Sequence, residues 1–190
     1  SFASLNYSTD TADPKRGALL QKATEFYSAF NQQLLFFMLE WNLVEDSRAK
    51  ALIADPILVN YAHHLEAERV YTPYQLTEAE EKILSEKSVT GSNAWTRFFT
   101  QLTSSMRYDF EGQQLNQTQL MTRLYSPDRE TRKKAADALT AGLQGKKMEL
   151  TYIYNTIVAD KASSDKLRGY PTWISSRNLD NKAPDAVVDA

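Results

Sequence analysis

The sequence lacks cysteine altogether, which excludes disulfides and thiolate nucleophiles. Histidine is nearly absent as well, because the 190 residues contain only His63 and His64, which are adjacent. Neighbouring side chains on a helix point about 100 degrees apart, so this pair is poorly placed to share a metal ion. His64 and Glu68 have helical spacing and are expected to form a surface hydrogen bond. A zinc site needs more ligands than these, so we predict no metal site.

The motifs that usually carry catalysis are also missing. The sequence has no glycine-rich phosphate loop, no H-E-x-x-H and no G-x-S-x-G. Carboxylate pairs such as Glu80 with Glu81, or Asp160 with Asp165, lie in helical patterns. Such carboxylates ordinarily pair with Lys or Arg on a helix surface. We therefore predict no catalytic residue, and we do not expect the chain to be an enzyme on its own.

Neither an excess of one charge nor a long hydrophobic run is present. The 22 basic and 24 acidic residues nearly cancel, so no nucleic-acid or anionic-lipid partner is expected. The longest apolar run, Leu34 to Leu39, is far too short to span a bilayer. The first ten residues lack the basic and apolar regions of a signal peptide. These features together lead us to expect a cytoplasmic protein.

Helical periodicity is what the sequence has in abundance. Residues 1–12 are predicted to be an irregular tail, and Asp13-Pro14 is a typical helix opening. Apolar residues then follow at spacings of three and four up to Trp41. Because Leu34 to Leu39 is apolar on every side, we expect this part of the helix to be enclosed by neighbouring elements.

Further helices and one change of period complete the predicted fold. Thr77 and Glu80 form a capping box, and Ser126-Pro127-Asp128 opens another helix. Charged and aromatic residues alternate from Arg107 to Glu111, which predicts one small hairpin on a helical surface. The predicted fold is therefore mostly α, a multi-helix antiparallel array over 13–190 with one β-hairpin near 107–116.

Packing explains the stretch from Met148 to Asn178 less well than any other part of the chain. A long amphipathic helix runs into Gly169 and Pro171, which end it. Four large side chains follow or flank that end: Arg168, Tyr170, Trp173 and Arg177. They could hold the carboxylate or backbone of a peptide. The alternative, which we favour on sequence grounds, is that they anchor an irregular crossing to the helices.

Three strings of sequence, taken together in their order, resemble a known family. They are LTEAEEKILSEKSVTGSNAW, SPDRETRKKAADAL and IYNTIVADKASSDKLRGYPTWISSRNL. The sequence resembles the N-terminal helical region of the oligoendopeptidase F branch of the M3 zinc metallopeptidases. The resemblance extends from about Leu39 to Ala190 and is strongest from Leu76 onward.

The resemblance implies a role for the chain within a larger enzyme. Members of that family cut short peptides inside a channel, with a zinc ion held by an H-E-x-x-H motif and a downstream glutamate. The segment starting at His63 does not match that motif, so no catalytic or metal residue carries over. The expected role is a non-catalytic N-terminal lobe, inactive alone, whose parent binds zinc. Arg168, Tyr170, Trp173 and Arg177 are then candidate contacts of the substrate channel.

Two partner predictions and one rival accompany this interpretation. The helical pattern that begins at Pro184 runs only to Ala190, so we expect a fragment whose C-terminal catalytic lobe is missing. An apolar surface meant for that lobe should be exposed and could support a homodimer. The rival hypothesis is a free-standing helical adaptor that binds a peptide or protein through its aromatic face.

Overall fold

The computed structural model describes residues 2–190, and most of them are helical. The elements in chain order are α1 (Phe2–Thr9), α2 (Pro14–Leu43), α3 (Asp46–Ile53), α4 (Ala62–Arg69), α5 (Glu78–Ser88), α6 (Ser92–Ser105), β1 (Tyr108–Phe110), β2 (Gln113–Leu115), α7 (Gln117–Arg123), α8 (Arg129–Gln144), α9 (Lys147–Arg168), α10 (Ser175–Asp180) and α11 (Asp185–Val188). Short 3-10 turns lie at Pro56–Leu58 and Thr72–Tyr74. The predicted fold class, mostly α with one small hairpin, is confirmed.

Contacts group the chain into two compact units. The first unit combines the residues up to Glu25 with Ser88–Ala159. The second unit combines Phe26–Lys87 with Asp160–Ala190. Helices α2 and α9 each contribute residues to both units, so neither unit is a continuous stretch of sequence.

The core of the first unit is built around the hairpin. Strands β1 and β2 are antiparallel, with Tyr108 opposite Leu115. Glu111 and Gly112 form the turn, and both have positive φ, as a tight hairpin turn requires. The inward face packs with α7 and α8 in one cluster: Met106, Tyr108, Phe110, Leu115, Leu120 and Ala135. The helical surface that the hairpin was predicted to need is therefore provided by α7 and α8.

A glycine lets α8 lie directly against the hairpin. A Cβ atom placed on Gly142 would lie 2.4 Å from Cδ1 of Tyr108, a residue with only 1% of its surface exposed. Gly142 thus gives close packing inside a continuous helix, and α8 ends at its C-cap, Gly145.

The second unit has its own core, centred on Trp41, Ala49 and Leu65. The indole nitrogen of Trp41 donates a hydrogen bond of 2.9 Å to the carbonyl oxygen of Leu65. Arg69 donates to the carbonyl oxygens of Trp41 and Val44, at 2.8 Å each, where α2 ends. An arginine in this position stabilises the last carbonyl groups of a helix. The break between α2 and α3 is therefore held by a side chain distant in sequence.

Two expectations were wrong. Residues 1–12 were predicted to be an irregular tail, but Phe2–Thr9 form the helix α1, and Ser1 lies outside the described residues. Ala3 and Tyr7 lie on one face of α1 and are buried, and Arg16 donates a 3.1 Å hydrogen bond to the carbonyl oxygen of Asn6. Tertiary contacts of this kind stabilise a short helix that its own sequence would not predict.

The apolar run on α2 is not enclosed either. Leu34, Phe36 and Phe37 keep about half of their surface exposed, at 47%, 51% and 48%. Only Leu39 and Trp41, at the end of α2, are buried hydrophobic residues of this region. An all-round apolar pattern predicted burial, but the described chain leaves about half of each of these side chains exposed. The helices within residues 2–190 all lack the combination of length and hydrophobicity that a membrane span requires.

Candidate functional site

The candidate site begins where α9 ends. Gly169 has φ +74°, in the left-handed region that favours glycine. The amide of Tyr170 donates a 3.0 Å hydrogen bond to the carbonyl oxygen of Asp165, which closes the last turn of the helix. Pro171 disfavours a helical conformation at Tyr170, the residue before it. The sequence thus directs an irregular crossing from Arg168 to α10.

Arg168 forms a two-pronged ion pair with Glu81 on α5. Nη1 lies 2.6 Å from Oε1 and Nη2 lies 2.8 Å from Oε2. The hydrogen bonds from Arg168 lower the pKa of Glu81 against the opposing effect of burial, and Glu81 raises the pKa of Arg168. Nη1 also donates to the carbonyl oxygen of Tyr74, at 3.3 Å. Most donors of this guanidinium are therefore engaged inside the protein.

Tyr170 is fixed by an aromatic stack. Its ring lies 4.1 Å from that of Tyr74, centroid to centroid, with 22° between the planes. Burial raises the pKa of Tyr170. Nearby, Tyr71 donates a 3.0 Å hydrogen bond to Asp180, and burial together with this bond raises the pKa of Tyr71 to about 12. These contacts connect the crossing and α10 to the segment before α5.

A cleft of about 350 Å³ lies beside this stack, lined by both apolar and polar side chains. It is lined by Leu35, Met38, Leu39, Asn42, Glu68, Tyr71, Tyr74, Gln75, Glu81, Arg168 and Tyr170. Asn42 is 7% exposed, and its Nδ2 donates a 2.8 Å hydrogen bond to Gln75. Its Oδ1 is buried without a partner among the residues that the structure describes.

The other two candidate residues face solvent. Trp173 is 78% exposed, and Arg177 is exposed on α10. The backbone carbonyl of Trp173 accepts a 2.8 Å hydrogen bond from Lys161, which also binds Ser176 and Asp165. The four predicted site residues therefore form two pairs. Arg168 and Tyr170 are held by internal partners, while Trp173 and Arg177 are available for binding. Contact of any of the four with substrate stays a prediction.

The two histidines have separate partners. Nε2 of His63 lies 3.0 Å from Nζ of Lys182, and Nδ1 of His64 lies 3.6 Å from a carboxylate oxygen of Glu68. At 3.6 Å, the contact between His64 and Glu68 is too long to be the hydrogen bond that the sequence predicted. An ammonium group beside His63 opposes cation binding there. Within residues 2–190, no three His, Asp or Glu side chains are grouped as metal ligands, so the described residues do not fit a zinc ion.

Sequence reasoning missed the partner of Arg168. Glu81 was expected to pair with a basic residue on its own helix surface, but its partner is 87 residues away. The available signal was that no basic residue stands three or four positions from Glu81, and the adjacent Lys82 pairs with Glu78. Such a signal does not name the partner.

The fold matches solved peptidase structures over nearly the whole chain. The structure of oligoendopeptidase-F from Enterococcus faecium aligns with a TM-score of 0.84 and 20% identity, covering 99% of this chain. A Chlamydophila abortus protein assigned as a peptidase aligns at 0.65 and 20%, covering 98%. A Bacillus anthracis protein assigned as an oligoendopeptidase F aligns at 0.64 and 20%, covering 93%. The chain spans 38%, 32% and 30% of the lengths of these three proteins.

The sequence comparison agrees with the fold. The family model described as oligopeptidase F, for the N-terminal region of M3 peptidases, matches residues 40–108. No curated protein sequence matches the chain significantly. Of the three strings that carried the resemblance, the first lies inside the matched range and the other two lie beyond it. The predicted resemblance to the N-terminal region of the oligoendopeptidase F family is confirmed.

Proposed function

We propose that this chain is the non-catalytic N-terminal lobe of an oligoendopeptidase F-like zinc metallopeptidase that hydrolyses short peptides. One observation carries the proposal: 99% of the chain aligns with only 38% of the Enterococcus faecium oligoendopeptidase-F, at a TM-score of 0.84. The parent would be a zinc endopeptidase, and its zinc ligands would lie in the remaining sequence. A cytoplasmic location stays a prediction.

Within this proposal, the crossing forms part of the wall of the substrate channel. Trp173 and Arg177 would contact peptide, because they are exposed and their side chains are not engaged by the ion pair or the stack. Arg168 and Tyr170 would hold the crossing in place through Glu81 and Tyr74. Two residues of the crossing would thus bind the peptide, and the other two would position the crossing.

Activity measurements with two lengths of chain test the proposal. The 190-residue chain is expected to bind no stoichiometric zinc and to cleave no quenched fluorescent peptide, because the described residues do not fit zinc. A chain extended by the sequence following Ala190 in its gene is expected to gain both properties. The gene is accordingly expected to encode an H-E-x-x-H motif and a later glutamate.

Several outcomes would contradict the proposal. One zinc per 190-residue chain in metal analysis would place a metal centre in the wrong part of the protein. A stop codon directly after Ala190 in the native gene would leave no room for a catalytic lobe. An extended chain that binds zinc but cuts no peptide of any length would exclude peptide hydrolysis.

An exposed aromatic stripe on α2 provides the surface for the remaining lobe. It consists of Phe26, Tyr27, Phe30, Leu34 and Phe37, which are between 46% and 73% exposed. Phe26 and Phe30 stack with parallel rings, 6.4 Å between centroids. Large exposed apolar patches usually mark interaction sites. The 62% of the Enterococcus faecium protein outside the aligned part supplies an occupant for such a surface.

Self-association of the isolated chain is the expected consequence of this stripe. Sedimentation of the wild-type chain at high concentration should show dimers, since no other lobe covers the apolar surface. Phe30→Lys should return the chain to a monomer. Gln32→Lys is the matched control, because it adds the same charge to α2 on the side that bonds Glu86, away from the stripe, and this variant should still dimerise. A wild-type chain that stays monomeric at high concentration would show that the stripe does not mediate self-association.

The same stripe supports a second candidate function. A free-standing helical adaptor would use an aromatic face to bind a partner helix or peptide. The stop codon that excludes the first proposal would favour this one. Binding of the remaining peptidase lobe to the stripe would favour the first.

A further inference from the structure

A cleft of about 550 Å³ lies in the first unit and shares no lining residue with the crossing described above. Its walls come from α1, α2 and α6, with Val89 just before α6. The residues that line it are Ser4, Tyr7, Ser8, Leu20, Gln21, Thr24, Val89, Asn93, Ala94, Thr96, Arg97, Phe98, Thr100 and Gln101. The volume lies within the range of small-molecule sites. Arg97 is the single charged residue among these lining residues.

Arg97 has no carboxylate partner in the described part of the chain. Its Nη1 donates a 2.7 Å hydrogen bond to the amide oxygen of Gln21, and Nη2 donates a 3.3 Å bond to the carbonyl oxygen of Gly17. The guanidinium also lies over the ring of Tyr7, 5.7 Å from its centroid. All three contacts are neutral, and two of the five N–H groups are used. The remaining donors and the full positive charge are available to an anion.

A close approach fixes the guanidinium at this place. A Cβ atom on Gly17 would lie 3.2 Å from Nη2 of Arg97, so the glycine leaves room for the side chain to reach the backbone of α2. Tyr7, beneath it, is 4% exposed, and its hydroxyl is buried without a hydrogen-bond partner among residues 2–190. A buried hydroxyl without a partner is costly and uncommon, and a bound ligand is one explanation for it.

The hydroxyl groups around Arg97 are oriented by their own helices. Ser8, Thr24, Thr96 and Thr100 each donate their hydroxyl hydrogen to a backbone carbonyl three or four residues earlier, at 2.8 to 3.1 Å. Asn93 likewise donates its amide hydrogen to Ser88. With their hydrogens engaged, the four hydroxyl groups offer lone pairs to the cleft. A matching ligand therefore needs donors as well as a negative charge.

We propose that this cleft binds a small carboxylate that also carries N–H or O–H donors, with Arg97 holding the carboxylate. Short peptides, free amino acids and hydroxy acids share that chemistry. The hydroxyls of Thr24, Thr96 and Thr100 accept hydrogen bonds from the donors of the ligand. The site is distinct from the crossing and does not depend on the peptidase proposal.

Binding of the dipeptide glycylserine to the 190-residue chain, followed by amide chemical shifts, tests the site. Saturable shifts are expected at residues of α1, α2 and α6 that line the cleft. The C-terminal amide of the same dipeptide keeps the donors but lacks the carboxylate. It should bind at least about tenfold more weakly, because a charge-assisted pair with Arg97 is lost. This comparison needs no variant protein and is independent of any folding defect.

Two arginine variants assign the effect to the cleft. Arg97→Gln should weaken glycylserine binding at least about tenfold and abolish the preference over the amide. Arg123→Gln is the matched control, because Arg123 also lies over a ring, that of Phe110, but outside the cleft. The Arg123→Gln variant should bind glycylserine as tightly as the wild-type chain does. The proposal is overturned if no saturable shift occurs, if the amide binds equally well, if Arg97→Gln binds normally, or if inorganic phosphate competes with equal affinity.

Discussion

Replacing Leu120 by alanine is expected to lower the free energy of unfolding of the first unit by about 3 kcal/mol. Leu120 has none of its surface exposed and belongs to the cluster that joins β1 and β2 to α8. Removing three side-chain carbons loses their transfer free energy and leaves a cavity, since packed strands and helices collapse only partly. The two-stranded hairpin is too short to be stable without this packing, so it cannot offset the lost free energy.

Urea unfolding followed by the fluorescence of Trp95 measures this effect, because Trp95 is the tryptophan of the first unit, where its ring lies 5.3 Å from that of Tyr152. Met121→Ala is the matched control on the same helix. Met121 is 37% exposed, so its truncation should cost less than about 1 kcal/mol. Equal losses for the two variants would show that the hairpin and α7 do not form one packed core.

The parts of the fold that the sequence predicted are those with local causes. The capping box at Thr77 is present, with the amide of Thr77 donating to Glu80 at 2.9 Å. Asp128 caps α8, accepting a 2.9 Å bond from the amide of Thr131. The alternation after Arg107 gave the hairpin and its place. Each of these depends on residues within a few positions, where spacing and side-chain chemistry are sufficient.

Expectations failed where burial depended on distant elements. The helix α1 forms although nothing in its own eight residues marks it, because Tyr7 packs beneath Arg97 of α6. Conversely, Phe36 and Phe37 of α2 stay about half exposed although the apolar run that contains them predicts enclosure. A hydrophobic pattern states that a surface is apolar, and it leaves open whether this chain or another partner covers it.

The sequence predicted which residues belong to the candidate site, but it did not predict which partners they contact. Gly169 and Pro171 marked the end of α9, and the large side chains around them marked an unusual segment. Which of those side chains face inward depended on Glu81 and Tyr74, which are remote in sequence. Arg97 was not singled out at all, since an isolated arginine among Thr and Ser on a helix carries no local signal.

The internal pairing of Arg168 changes the expected outcome of its mutation. Had it faced solvent, its loss would affect peptide binding alone. With Glu81 fixed opposite it, a substitution on either side leaves a partly buried charge without its partner. The side chains of Arg168 and Glu81 are 25% and 15% exposed, between the surface and fully buried cases. Substituting Arg168 or Glu81 should therefore lower the free energy of unfolding of the second unit more than it weakens peptide binding.

Glu81→Gln is expected to lower the free energy of unfolding of the second unit by about 2 kcal/mol at neutral pH, between the values for surface and buried pairs. The control is Glu78→Gln on the same helix, which removes an exposed ion pair with Lys82 and should cost less than about 0.5 kcal/mol. Urea unfolding followed by the fluorescence of Trp41 and Trp173, with Trp95 replaced by phenylalanine, reports on this unit.

Acid should remove the difference between wild type and Glu81→Gln. The hydrogen bonds from Arg168 hold the pKa of Glu81 below its ordinary value in the folded state. A lowered folded-state pKa means that the carboxylate stabilises the protein above its unfolded-state pKa, and that this contribution is lost as pH falls through the folded-state value. The two proteins should therefore differ at neutral pH and converge in acid below the ordinary glutamate range. A difference that stays constant across this range would mean that Glu81 stabilises the unit by packing and not by charge.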